Sequence, residues 1–123
     1  MSLLVLSSDD VFALSASLSP ATLVSLMARV FLQLTTANDV AMPQRNCICT
    51  GTCDILTMPA RIGGLGTGIK VVSVPKGQGQ QGIPGTTLVL DEETGAVKAV
   101  VNARSLTALR TAAGEFIRRT SHL

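Results

Sequence analysis

Apolar positions recur along this chain with two different periods, and the change of period divides it into parts. Leu3 to Leu6 is a short apolar run that reads as a strand, and Ser8 or Asp9 can cap a brief helical turn through VFALSA. Ser19 followed by Pro20 is a cap with proline at the first helical position. Beyond it Leu23, Leu26, Met27, Val30, Phe31 and Leu34 repeat at three- and four-residue spacing, which predicts a helix from Pro20 to about Thr35. Thr36 to Gln44 is polar and ends on Met42 and Pro43, the signature of a connecting loop.

From Arg45 onward the pattern shortens to β-like runs divided by glycine or proline: RNCICT, DILTMPA, IKVVSV, TTLVLD and AVKAVV. The last two flank EETG, a hairpin connection whose glycine can take positive φ, so they are expected to pair antiparallel. The loop KGQGQQGIPG, rich in glycine and glutamine, reads as exposed. A final helix is expected from Ala103 or Arg104, with Asn102 as its cap and Leu106, Leu109, Ala113, Phe116 and Ile117 as its apolar stripe. The pattern as a whole predicts an α+β fold.

Composition narrows the function classes. At 123 residues with 46% hydrophobic content the chain fits one domain, and 2% aromatic residues with no Trp or Tyr make its core aliphatic. A net charge of +2 on scattered Lys and Arg gives no nucleic-acid footprint, and the stacking platforms of single-strand binders are missing. Apolar stretches such as LVSLMARVFLQL are broken by Ser25, Arg29 and Gln33, so no membrane span is expected. The opening LLVL has no basic region before it and Asp9 and Asp10 behind it, unlike a secretory signal. A cytoplasmic location is therefore expected.

Cys47, Cys49 and Cys53 cannot all pair within the chain. Their C-x-C-x3-C spacing lacks the paired C-x2-C knuckles of structural zinc sites, and the single histidine, His122, stands at the far terminus. The expected state is three reduced thiols on neighbouring strands, with no metal.

The tract GGLGTG, Gly63 to Gly68, leads into β-branched residues and not into a helix, so it reads as a tight connection between strands and not as a phosphate loop. Lys70 shares a strand face with Val72 and Val74; it either snorkels to water or lines a pocket and meets an anion. Arg45 opens a strand, where an exposed strand-end charge is the ordinary reading. Arg110 lies among small and apolar residues on the last helix and needs an anionic partner, either an internal carboxylate or a ligand. Arg45, Lys70 and Arg110 thus stand on three elements that could converge on one carboxylate. No acid–base pair or Ser-His-Asp arrangement is visible, so no catalytic residue is assigned.

The runs TMPARIGGLGTGIKVVSV and GIPGTTLVLDEETGAVKAVVNARSLTALRTAAG resemble the N-terminal half of ornithine cyclodeaminase/mu-crystallin family proteins, most of all fungal members. The resemblance extends from LVLSSDDV to the last helix. It implies one of the family's two domains, the substrate-binding and dimerisation domain with its largely antiparallel sheet packed with helices, over residues 1–123, in a truncated form without the Rossmann domain that holds NAD or NADP. It also implies that Arg45 in PQRN, Lys70 in GIKVV and Arg110 in ALRTAA meet a substrate carboxylate, and that Arg110 and Thr111 adjoin the cofactor. Gly82 stands where the family has a cofactor-contacting threonine, and the family's catalytic aspartate belongs to the second domain. The implied role is carboxylate binding and dimerisation within an NAD(P)-dependent protein of ornithine cyclodeaminase or ketimine reductase type, acting on an amino acid or cyclic ketimine. Catalysis or cofactor binding by this chain alone is not expected, and its partner would be a second copy or a family member. The alternative is a noncatalytic regulatory module, or an inactive fragment, that pairs with a full-length relative.

Overall fold

A computed structural model describes residues 2–77 and 83–120. In chain order the elements are β1 (Leu4–Leu6), α1 (Ser8–Ala16), α2 (Pro20–Thr36), β2 (Val40–Ala41), β3 (Asn46–Cys49), β4 (Cys53–Ile62), β5 (Gly66–Pro75), β6 (Gly85–Leu90), β7 (Val97–Asn102) and α3 (Arg104–Thr120). Seven strands form one mixed sheet in the order β1-β7-β6-β5-β4-β2, and β3 also pairs with β4. Only β1 and β7 run parallel; every other pairing is antiparallel. The α+β expectation and the largely antiparallel sheet are what the chain forms.

The local chemistry explains most of the boundaries. Ser7, not Ser8 or Asp9, caps α1: its hydroxyl accepts from the Asp10 amide while the Asp10 carboxylate accepts from the Ser7 amide at 2.8 Å. Ser19 caps α2 through the Thr22 amide at 3.1 Å, and Pro20 occupies the first turn, where its missing N–H costs nothing. The segment expected to be a plain loop contains β2, whose two residues pair with Arg61 and Ile62 at the end of β4. Strands β4 and β5 outrun the expected DILTMPA and IKVVSV, pairing over ten residues each. Their connection is the glycine tract, with Gly64 at φ 78° and Gly66 at φ 134°. Gly95, at φ 72°, closes the β6–β7 hairpin, where the Asp91 side chain accepts from the Glu93 and Thr94 amides.

Among the described residues Val11, Val72, Ala103 and Ala113 are buried, and the strands of the central hairpin are half-buried. Gly85 lets the β7–α3 junction close over the sheet. A Cβ there would come within 3.2 Å of Val72 Cγ1, and the Gly85 carbonyl accepts from the Ala103 amide at 2.9 Å. Helix α3 then lies against α2, where Gly114 faces the Phe31 ring. Asn102 does accept from the Arg104 amide, at 3.2 Å, as a helix-start residue should. Phe116 lines an apolar cleft together with the stripe residues Leu109 and Ala113, and is 56% exposed there. Among the described residues no single helix is long and apolar enough to cross a membrane.

Candidate functional site

Strand β5 runs through the interior of the sheet, and Lys70 sits near its middle, paired with Met58 of β4 on one side and Thr87 of β6 on the other. Residues paired across strands share a sheet face, so Met58, Lys70 and Thr87 form one row. The β3–β4 register pairs Asn46 with Thr57. Arg45, one residue earlier, stands level with Met58 and so continues that row. Alternation puts Val72 on the same face, the face covered at Gly85 and Ala103 by the start of α3.

Helix α3 supplies the third wall. Lys70 Nζ donates to Thr107 Oγ1 at 2.9 Å, and the Thr107 hydroxyl donates in turn to the Ala103 carbonyl at 3.3 Å. Arg110 and Thr111 follow Thr107 by three and four positions, which sets them on the same side of the helix. Thr111 Oγ1 donates to the Thr107 carbonyl at 2.7 Å. Its one hydrogen is thereby committed, and what it still offers is acceptor capacity.

Lys70 lies within the electrostatic reach of both arginines. The Lys70 pKa lies below the usual lysine value, first because burial disfavours the ammonium, then because Arg110 and Arg45 repel it. Among the described residues no salt bridge involves Arg45, Lys70 or Arg110. All eight carboxylate side chains of the sequence fall within those residues, and six are engaged elsewhere. Asp10 caps α1 and Asp91 shapes the β6–β7 turn. Asp39 and Glu92 both bind Arg61, Asp54 pairs with Lys76, and Glu115 is clamped by Arg118 and Arg119, which push its pKa down to about 2. The remaining two, Asp9 and Glu93, are exposed on α1 and in the β6–β7 turn. Arg110 is exposed, contrary to the apolar setting expected for it, so water can meet its charge, and no side-chain carboxylate among the described residues pairs with it.

The chemistry of these side chains suits a small anion. Two guanidiniums can each offer paired N–H donors to a carboxylate, and a half-buried ammonium adds a point charge between them. Sequence reading did not find Thr107, although its spacing of three from Arg110 was available as a signal. It also passed over Arg61, which ties β4 to Asp39 and, at 2.9 Å, to Glu92 beyond β6. An apolar cleft of about 760 Å³ between α1, α2 and α3, lined by Leu18, Leu23, Val24, Leu109, Ala113 and Phe116 among others, shares no residue with the cation set. Gly63 to Gly68 turn one strand into the next, so they do not fit a dinucleotide phosphate cradle, which needs a strand-to-helix turn. Gly82 lies outside the described residues.

The fold is similar to several solved enzymes. An archaeal alanine dehydrogenase dimer with bound NAD matches with 26% identity and a TM-score of 0.78, over 93% of this chain and 35% of that one. Thermococcus litoralis Δ(1)-pyrroline-2-carboxylate reductase, in complex with NADH and L-proline, matches with 28% identity and a TM-score of 0.79, over 92% and 36%. A probable ornithine cyclodeaminase from Bordetella pertussis Tohama I matches with 26% identity and a TM-score of 0.74, over 91% and 34%. The chain thus spans little more than a third of the length of these relatives. No curated protein sequence matches it. The sequence model of the ornithine cyclodeaminase/mu-crystallin family matches residues 13–119, and the chain belongs to that family.

Proposed function

We propose that this chain is the substrate-carboxylate-binding and dimerisation domain of an NAD(P)-dependent protein that acts on an amino acid or a cyclic imino acid. The observation that carries this reading is the cluster of Lys70 with Arg110 and Arg45, three cations that no side-chain carboxylate among the described residues pairs with. Arg45 and Arg110 grip the ligand's carboxylate from the sheet and from α3, while Lys70, oriented by Thr107, adds charge between them. Thr111 stands beside Arg110 with an acceptor to spare, suited to a donor on the cofactor side of the site. NAD(P), when bound, supplies the hydride acceptor or donor. The residues of this chain bind and orient the substrate and do not carry out that transfer alone. Three free cysteines support a cytoplasmic setting.

A second reading draws on the surface. Phe12, Leu14 and Leu32 are more than half exposed on α1 and α2, and an apolar cleft opens between α1, α2 and α3, as expected of a module that pairs with a full-length relative and regulates it. Calorimetry separates the two. The full chain is titrated with L-proline, pyrroline-2-carboxylate and ornithine, with and without NADH, and with prolinamide as the ligand lacking a carboxylate. Heat from a carboxylate ligand and none from prolinamide is expected. No heat from any of them, together with heterodimer formation with a full-length family member, would favour the regulatory module.

A further inference from the structure

We propose that Cys47, Cys49 and Asp54 form a binding site for a thiophilic divalent cation, with zinc as the best-fitting ion. The site follows from strand geometry. Alternation along β3 puts Cys47 and Cys49 on one face, and the register sets Cys49 directly opposite Asp54 of β4, so that the carboxylate joins the two thiols. The three ligand atoms lie within 4.8 Å of one another.

The spacing of the sulfurs is the strongest point. Cys47 Sγ and Cys49 Sγ are 3.7 Å apart. Two thiolates on a tetrahedral zinc, with Zn–S bonds of about 2.3 Å, stand about 3.8 Å apart, the edge of that tetrahedron. Both cysteines are exposed, so an ion can reach them, and three protein ligands leave one position for water. Cys53 is not part of the set: it lies one position from Asp54 and so on the opposite face, where its thiol bonds Thr50 at 3.3 Å.

The surroundings hold negative charge in place for a cation. Lys76 Nζ stands 3.1 Å from Asp54 Oδ1 without hydrogen-bond geometry, and that oxygen has no other donor. Metal binding at the two thiols releases their protons. Lys76 is also anchored to the Thr50 carbonyl at 2.7 Å, so it can stay on the hairpin when the carboxylate turns to a metal. The spacing C-x-C-x3-C hid this site because the third ligand comes from across the β3–β4 hairpin and is not the third cysteine.

The test is titration of the reduced full chain with cobalt(II) alone, followed by zinc(II). A thiolate-to-cobalt charge-transfer band that saturates at one metal per chain and is bleached by zinc is expected. Cys47→Ser and Cys49→Ser should each abolish it, Asp54→Asn should weaken binding about tenfold or more, and Cys53→Ser should leave it unchanged. Lys76→Gln should tighten binding, since it removes a competing cation, and affinity should rise with pH as the thiols ionise. No band, saturation at half a metal per chain, or a band that survives Cys47→Ser with Cys49→Ser or vanishes in Cys53→Ser would overturn the proposal. Both cysteines are exposed, so circular dichroism of the serine variants should match wild type and show that lost binding is not lost fold.

Discussion

Lys70 Nζ and Thr107 Oγ1 are joined by a 2.9 Å hydrogen bond that links an interior strand of the sheet to α3 at the cation cluster. Without it a half-exposed lysine would be free to follow its stem toward water. Thr107→Val keeps the shape of the side chain and removes the acceptor. Water can replace the lost partner of a half-exposed ammonium, so stability should fall by no more than about 1 kcal/mol. Carboxylate affinity should fall further, because Lys70 is no longer held between Arg45 and Arg110. Thr107→Ser should restore it. Calorimetric affinity beside a urea denaturation curve checks the split, and parallel losses in both would make Thr107 a packing residue only.

Arg110 reaches the same site from a helix. Arg110→Lys preserves the charge and removes the paired donors, so carboxylate binding should weaken by about 1 to 3 kcal/mol through the loss of one bidentate contact. Arg110 makes no salt bridge among the described residues, so the melting temperature should barely move. Unchanged affinity would show that the ligand does not touch it.

The reach of the sequence can be judged from these same elements. Helix α2, the hairpin strands and the glycine turn were legible because each is a local matter of period, cap and breaker. The α1 cap slipped by one residue because SSDD offers several good capping side chains in a row, and the reciprocal bond between Ser7 and Asp10 decides among them. Spacing placed Phe116 on the same face of α3 as Leu109 and Ala113, but it does not say whether a neighbouring helix covers the residue, and Phe116 is exposed at the cleft. Strand β2 is two residues long and exists only through its pairing with Arg61 and Ile62. The cation set could be nominated from residue types, yet its convergence depends on the register that puts Met58 opposite Lys70. The pairing of Asp54 with Cys49 depends on register in the same way.

Gly95 tests the β6–β7 hairpin that leads into α3. Its φ of 72° is a region that L side chains avoid, while no neighbouring atom obstructs a Cβ there. Gly95→Ala should therefore cost about 1 to 2 kcal/mol from backbone conformation alone. The Asp91 contacts to the turn remain, so the fold should persist. Chemical denaturation measures the loss, and a neutral result would mean that the turn relaxes to another shape.

Lys70 gives the fold a pH dependence that a bound carboxylate should weaken. Its folded pKa is lowered from 10.5, so the native state releases the proton before the unfolded state does. Below the folded pKa both states are protonated and the destabilisation is fully present. As pH rises from there toward 10.5 the unfolded state holds more protons than the native state, and stability increases. Lys70→Met removes this slope. The variant should be more stable than wild type at neutral pH, and the gap should narrow as pH approaches 10.5. Urea unfolding over a pH series measures both curves, and parallel curves would show that Lys70 is not perturbed. A bound carboxylate favours the ammonium and pushes the Lys70 pKa back up, so at alkaline pH binding should be accompanied by proton uptake. Titrations in two buffers with different ionisation heats would reveal that uptake in wild type and its loss in Lys70→Met. Proton uptake that persists without Lys70 would assign the titration to the ligand's own amine.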